Sequence, residues 1–250
     1  MIELDEVCRS YGDKLAVDRL NLRVAAGELY SLLGHNGAGK TTTIKLLVGL
    51  LRPASGSIRI GGYDIISQTR LAASLVGYVP DQPYLYDKLS GREFLQFVAQ
   101  MHGLDITNAN RNIDREIERF ELSEFVDELT ESYSHGMKQR TVIASALLNS
   151  PRVLVVDEPM LGLDPHSIRL VKNLLRAEVA AGMCVLMSTH TLAAAEEVSD
   201  RVGIMRQGRL LFDGTLHELR SQFSDAQLSL EAMYLSITET PSPSGAPVEP

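Results

Sequence analysis

GHNGAGKT, residues 34–41, is the stretch that decides the fold. It fits the pattern G-x-x-x-x-G-K-[ST], whose glycines let the backbone curl with its N–H groups pointing inward at phosphates, aided by the positive end of the following helix. The flanking sequence supplies the context that the pattern needs. ELYSLLG (28–34) reads as a strand and residues 39–51 carry a helical period, so the loop is expected to join a strand to a helix. In such a loop Lys40 reaches the β and γ phosphates as a point charge, and Thr41 offers its hydroxyl to Mg²⁺. The stretch predicts a nucleoside triphosphate site.

Farther along, RVLVVDE (152–158) is an apolar run that ends in Asp157 and Glu158. It predicts a buried strand with two carboxylates at its C-terminal end, where α/β sheets bind ligands. Asp157 suits Mg²⁺, directly or through water, and Glu158 suits orienting or deprotonating an attacking water. Alone, such a pair could equally cap a helix; beside a phosphate loop the catalytic reading takes precedence. A helix at 168–182, a strand at 183–190, a helix at 192–201 and a strand pair turned at Gln207 and Gly208 follow. Strand alternating with helix predicts a parallel core sheet. Residues 2–24 alternate in strand fashion and predict an antiparallel layer, whereas 90–149, between the first and second buried strands, is almost wholly of helical period. The expected fold class is α/β: a P-loop NTPase core with a parallel sheet, an N-terminal antiparallel β layer and an inserted helical subdomain.

Four more motifs occur in order around these two. They are Tyr11 in RSYGDKLAVD, YSHGMKQR at 133–140, LGLDP at 161–165 and STH at 188–190. Over nearly all of residues 2–219 the chain resembles the ATP-binding subunit of ABC transporters. YSHGMKQR is similar to the LSGGQ signature, LGLDP to the D-loop and STH to the switch-histidine motif; Ser134 lies 23 residues before Asp157, as in that family. The GLDP and SHGMKQR variants look more like exporter-type, ABC-2-like subunits than like sugar importers. The resemblance implies that the Tyr11 ring stacks on adenine, and that Gly34, His35, Asn36, Gly37, Ala38, Gly39, Lys40, Thr41 and Thr42 surround the phosphates. It implies that His190 meets the γ-phosphate, and that Ser134 and Gly136, at a helix N-terminus, serve ATP held by a second subunit. His135 stands where the family usually has glycine.

A further departure follows Tyr78, Val79 and Pro80, where relatives carry a glutamine that touches Mg²⁺ or the attacking water and relays its state to the permease. This chain has Asp81 there and Gln82 one place later. Three accounts stay open: Asp81 takes the role as a third metal-side ligand beside Thr41 and Asp157, the loop shifts so that Gln82 points inward, or Asp81 merely starts a turn ahead of Pro83. Tyr84 and Tyr86 read equally as loop aromatics or as part of the region that in this family faces the membrane subunit.

Composition narrows the function classes. The chain has 250 residues, 44% apolar and 22% charged, and its net charge of −8 argues against a nucleic-acid partner. No apolar run approaches the roughly 18–20 residues of a membrane span, and no secretory leader is visible. Cys8 and Cys184 lack metal spacing and are expected to be reduced packing residues. His102, His166 and His217 have no ligand-type spacing, and His35 is expected to matter through its backbone. Residues 1–236 are expected to form one ATPase domain, with the helical subdomain at about 84–150, and the Pro-rich tail at 237–250 to be disordered. The expectation is an ATPase using ATP and Mg²⁺, paired as a homodimer or heterodimer, and docked from the cytoplasm on a transmembrane permease at the inner face of the cell membrane. DNA-acting relatives are disfavoured because only 94 residues separate Lys40 from Ser134. Ribosome-acting relatives carry two ATPase halves with a basic linker, and small GTPases an NKxD-type motif that is missing here.

Overall fold

In the computed structural model, which describes residues 1–223 and 228–239, the chain opens with β1 (Ile2–Tyr11), β2 (Lys14–Val24), β3 (Leu29–Leu33) and α1 (Lys40–Leu47). It continues through β4 (Ser55–Ile60), β5 (Tyr63–Asp64), α2 (Thr69–Ala73) and β6 (Val76–Val79) into α3 (Gly91–Met101), α4 (Ile106–Arg119) and α5 (His135–Leu147). Then come β7 (Val153–Asp157), α6 (Pro165–Ala180), β8 (Cys184–Thr189), α7 (Leu192–Val198), β9 (Arg201–Arg206), β10 (Arg209–Gly214), α8 (Leu216–Ser221) and α9 (Leu230–Glu239).

Two sheets result. One is antiparallel, in the order β2-β1-β4-β5; the other runs β10-β9-β3-β8-β7-β6 and is parallel from β9 to β6, with β10 antiparallel at its edge. Every residue of β3, β7 and β8 is buried, because both faces of this sheet are covered, which is why these strands are continuous apolar runs. The period of two persists inside them. Val153 and Val155 of β7 pack with Ile2, Leu22 and Ile58 of the antiparallel sheet and Ile44 of α1. Leu154 and Val156 face the other way, toward Leu95 of α3, Ile143 of α5 and Val171 of α6.

Between β6 and β7 the chain is helical. Ser90 and Glu93 form a reciprocal capping box that starts α3, and Asp105 caps α4. Ser134 caps α5 by accepting the Met137 N–H at 3.3 Å. Helix α5 packs against α3, α4, α6 and β6, and accordingly is buried along most of its length. Among the described residues no helix is long and apolar enough to cross a membrane.

Several boundaries differ from the sequence reading. Residues 55–79, ahead of the helical stretch expected at 90–149, hold β4, β5, α2 and β6, for which the sequence reading named no elements; β6 is only four residues, VGYV, too short to stand out by period. The helix expected over 39–51 stops at Leu47, where Val48 caps it and Gly49 turns with φ 75°. The helix expected over 192–201 stops at Val198, because the Asp200 N–H donates to Leu29 O and Arg201 begins β9. Helix α9 extends to Glu239, three residues into the tail expected at 237–250; residues 240–250 lie outside the described residues. Both cysteines are free, and burial pushes the Cys184 thiol up to about 12.

Candidate active site

Because β3, β6, β7 and β8 run in parallel, their carboxyl ends share one edge of the sheet. The 34–39 loop leaves β3 there, Asp81 follows β6, Asp157 and Glu158 finish β7, and His190 follows β8. They converge on a cleft of about 380 Å³. It is lined by His35, Asn36, Gly37, Gly39, Lys40, Thr41 and Thr42 of the loop and α1, by Tyr11, Lys14 and Ala16 of the antiparallel sheet, and by Asp81, Glu158, Leu161 and His190. Gly34 and Ala38 form the base of the loop rather than its lining: Gly34 O accepts from Lys40 and the Ala38 N–H donates to His35 O. Gly39 has φ 114°, and a Cβ there would lie 2.5 Å from Ala16 O, so only glycine fits where the loop meets the antiparallel sheet. Larger grooves lie on the outer face of the antiparallel sheet and at the amino edge of the parallel one. Neither has a glycine loop or a helix N-terminus aimed into it.

Lys40 is only 6% exposed. Its Nζ donates to Gly34 O at 2.6 Å and lies 3.8 Å from Glu158 Oε1. Burial lowers the Lys40 pKa, and the carboxylates of Glu158 and Asp157 oppose that shift in part. Glu158 Oε1 lies 2.9 Å from His190 Nδ1, and Glu158 Oε2 accepts the His190 backbone N–H at 3.3 Å. Glu158 itself sits at φ 50°, a left-handed conformation uncommon for a side-chain-bearing residue and typical of functional sites. Its N–H donates to Ser188 O at 3.1 Å, which locks this turn to β8.

Asp157 is 1% exposed; its Oδ1 accepts from the Ser188 hydroxyl, while Oδ2 is buried without a hydrogen-bond partner. Burial pushes its carboxyl pKa up, and the Ser188 and Thr41 hydroxyls pull it down in part. Asp81 adds its negative charge nearby: burial and the charges of Asp157 and Asp81 together push the Tyr78 hydroxyl up to about 12. An orphaned carboxylate oxygen, a threonine hydroxyl and a second carboxylate form an oxygen set that fits Mg²⁺. No cluster of three or more His, Cys, Asp or Glu suited to a metal exists among the described residues.

Three residues singled out in the sequence are not brought to the cleft. Gln82 is exposed and does not line it, and Ser134 and Gly136 sit at the N-terminus of α5, outside it. Conversely, sequence reading passed over Ser188, although it lies within STH, and over Lys14 and Leu161. The His35 ring has a role that its loop position did not signal. It packs edge-on against Tyr234 of α9, with ring centroids 5.1 Å apart.

A strand, a glycine loop closing on a buried lysine, and an aspartate–glutamate pair on a parallel strand define a P-loop nucleoside triphosphatase. The ABC transporter family matches residues 17–161, and the chain belongs to it, as one of its ATP-binding, ATP-hydrolysing subunits. It is 36% identical to the daunorubicin resistance ATP-binding protein of Streptomyces coeruleorubidus, over 88% of this chain and 70% of that protein. It is 39% identical to the Nod factor export ATP-binding protein I of Burkholderia lata, over 87% of this chain and 72% of that protein. A solved ATP-binding subunit of an ABC transporter superposes with a TM-score of 0.88 at 33% identity, covering 95% of this chain and 99% of that one.

Proposed function

We propose that the chain hydrolyses ATP at this cleft, pairs with a second ATPase subunit around the nucleotide, and drives export through a separate transmembrane permease at the inner face of the membrane. The observation that carries the reading is the contact line from Lys40 through Glu158 to His190, set directly over the glycine loop. In this reading adenine rests on Tyr11, which is half exposed at the cleft mouth with the Arg9 guanidinium 5.4 Å from its ring centroid. The loop N–H groups and Lys40 hold the phosphates. Thr41 and Asp157 would hold Mg²⁺, with Asp81 beside them, and a metal bound there would supply positive charge to offset that of the phosphates. Glu158 accepts the proton of a water whose oxygen attacks the γ-phosphorus, the bond to the β–γ bridging oxygen breaks, and ADP leaves. His190 keeps the Glu158 carboxylate aimed.

The exposed N-terminus of α5, with Ser134 and Gly136, presents its positive end to the nucleotide of the second subunit, either another copy or a related ATPase. ATP then favours the closed pair, and that difference in affinity is what performs work on the permease. The two relatives are named for daunorubicin resistance and Nod factor export, which supports the export reading. Affinity purification from membranes solubilised in mild detergent tests it. A hydrophobic multi-span protein that copurifies and raises ATP turnover is the expected result; copurifying ribosomal RNA would refute it.

Asp81, not Gln82, lines the cleft, which favours the first of the three accounts of this loop. Asp81→Ala is expected to lower turnover roughly tenfold and raise the Mg²⁺ concentration required, whereas Gln82→Ala changes little. Steady-state phosphate release across a Mg²⁺ titration measures both. The reverse ranking would place Gln82 in the role, and two silent variants would leave only a turn.

A further inference from the structure

We propose that His135 is a positioning residue for Glu158. Its imidazole Nε2 lies 2.9 Å from Leu161 O, and because a carbonyl only accepts, that nitrogen carries the proton. The Leu161 N–H in turn donates to Glu158 O at 3.2 Å. Two consecutive hydrogen bonds therefore run from the first residue of α5 to the backbone of Glu158. The same turn is tied to β8 at its start by the Glu158 N–H bond to Ser188 O. Its next internal bond, from Leu163 N to Met160 O, is long at 3.4 Å, and Leu161 is 49% exposed at the cleft wall.

The ring lies flush on this turn. Gly162 has φ 71°, and a Cβ placed on it would lie 3.2 Å from His135 Cδ2. On the other side Gly136 approaches Asp164, whose Oδ1 accepts the Ser167 N–H at 3.0 Å and so caps α6. The 159–164 turn is thus clamped between two helix N-termini, with the His135 hydrogen bond at the end nearer the cleft. Glu158 occupies a left-handed backbone conformation that relaxes unless its surroundings hold it. A relaxed backbone would swing the carboxylate away from the line of attack while leaving Lys40 and the glycine loop in place. Misplacement by about an ångström is enough to slow chemistry without weakening binding.

This inference rests on the assignment of Glu158 as the base, and the experiment separates the two. His135→Ala is expected to lower kcat roughly tenfold with the KM for ATP within about twofold, and with the thermal midpoint unchanged. His135→Gln, whose amide N–H reaches the same carbonyl, is expected to recover most of the loss. On the Glu158→Gln background the alanine change should have no further effect on residual turnover or on ATP-dependent pairing. Wild-type kcat in His135→Ala, no recovery with glutamine, a lowered thermal midpoint, or weaker pairing on the Glu158→Gln background would each overturn the positioning role; the last would assign the ring to the second subunit's nucleotide. An active Glu158→Gln enzyme would instead remove the base itself.

Discussion

Lys40→Ala is expected to lower kcat/KM for ATP by about 100-fold or more, comparable to removing a donor aimed at the charge of a transition state. The Lys40 side chain is buried, and the negative charges of Glu158 and Asp157 offset part of the cost of desolvating its ammonium. Its hydrogen bond to Gly34 O at 2.6 Å holds it within the loop, so its charge is already where the β and γ phosphates arrive. Alanine leaves that carbonyl without its donor and Glu158 without its nearest cation, and nothing else in the cleft wall replaces the charge except the more peripheral Lys14. Nucleotide binding and phosphate release, measured separately, should both fall. Turnover near that of the unsubstituted chain would remove the nucleotide site from this cleft.

Glu158→Gln is expected to act differently, keeping ATP while hydrolysis falls by roughly 10²–10⁴-fold. The amide matches the carboxylate in size, and its oxygen can still accept the His190 N–H that now reaches Oε2 at 3.3 Å. What it loses is the capacity to take a proton. ATP then stays intact, and the paired state it favours accumulates. Size-exclusion chromatography in ATP and Mg²⁺ should show a dimer that reverts to monomer when nucleotide is removed. A monomer under those conditions, with ATP demonstrably bound, would count against the shared-nucleotide arrangement.

The parts legible in the sequence were those written locally. The phosphate loop lies in eight consecutive residues, and β3, β7 and β8 are unbroken apolar runs because both faces of their sheet are covered. Glu158 could be named because it follows such a strand directly, whereas His190 could be named through the resemblance of STH to the switch-histidine motif. Features made by register were not legible. Ser188 meets Asp157 because β7 and β8 pair those two residues, although they lie 31 positions apart in the chain. Whether Asp81 or Gln82 turns inward depends on how four residues of β6 align with β7, and period cannot fix so short a strand. The ring of His35 meets Tyr234 across almost the whole length of the chain, in a helix whose own sequence says nothing about a glycine loop.

The place of β3 in its sheet has a consequence for how the chain is made. Both of its edges are covered in the finished molecule, one by β8 and the other by β9, yet both partners are encoded far downstream. During synthesis β3 and its glycine loop emerge roughly 150 residues before β8, an interval on the order of 10–30 seconds at ribosomal speed. Through that time LYSLL is an apolar strand with two open edges, while β1, β2 and β4 can already pair among themselves. The nascent chain is therefore most vulnerable to misassociation in the segment that later grips the phosphates, and slower translation prolongs that exposure rather than relieving it.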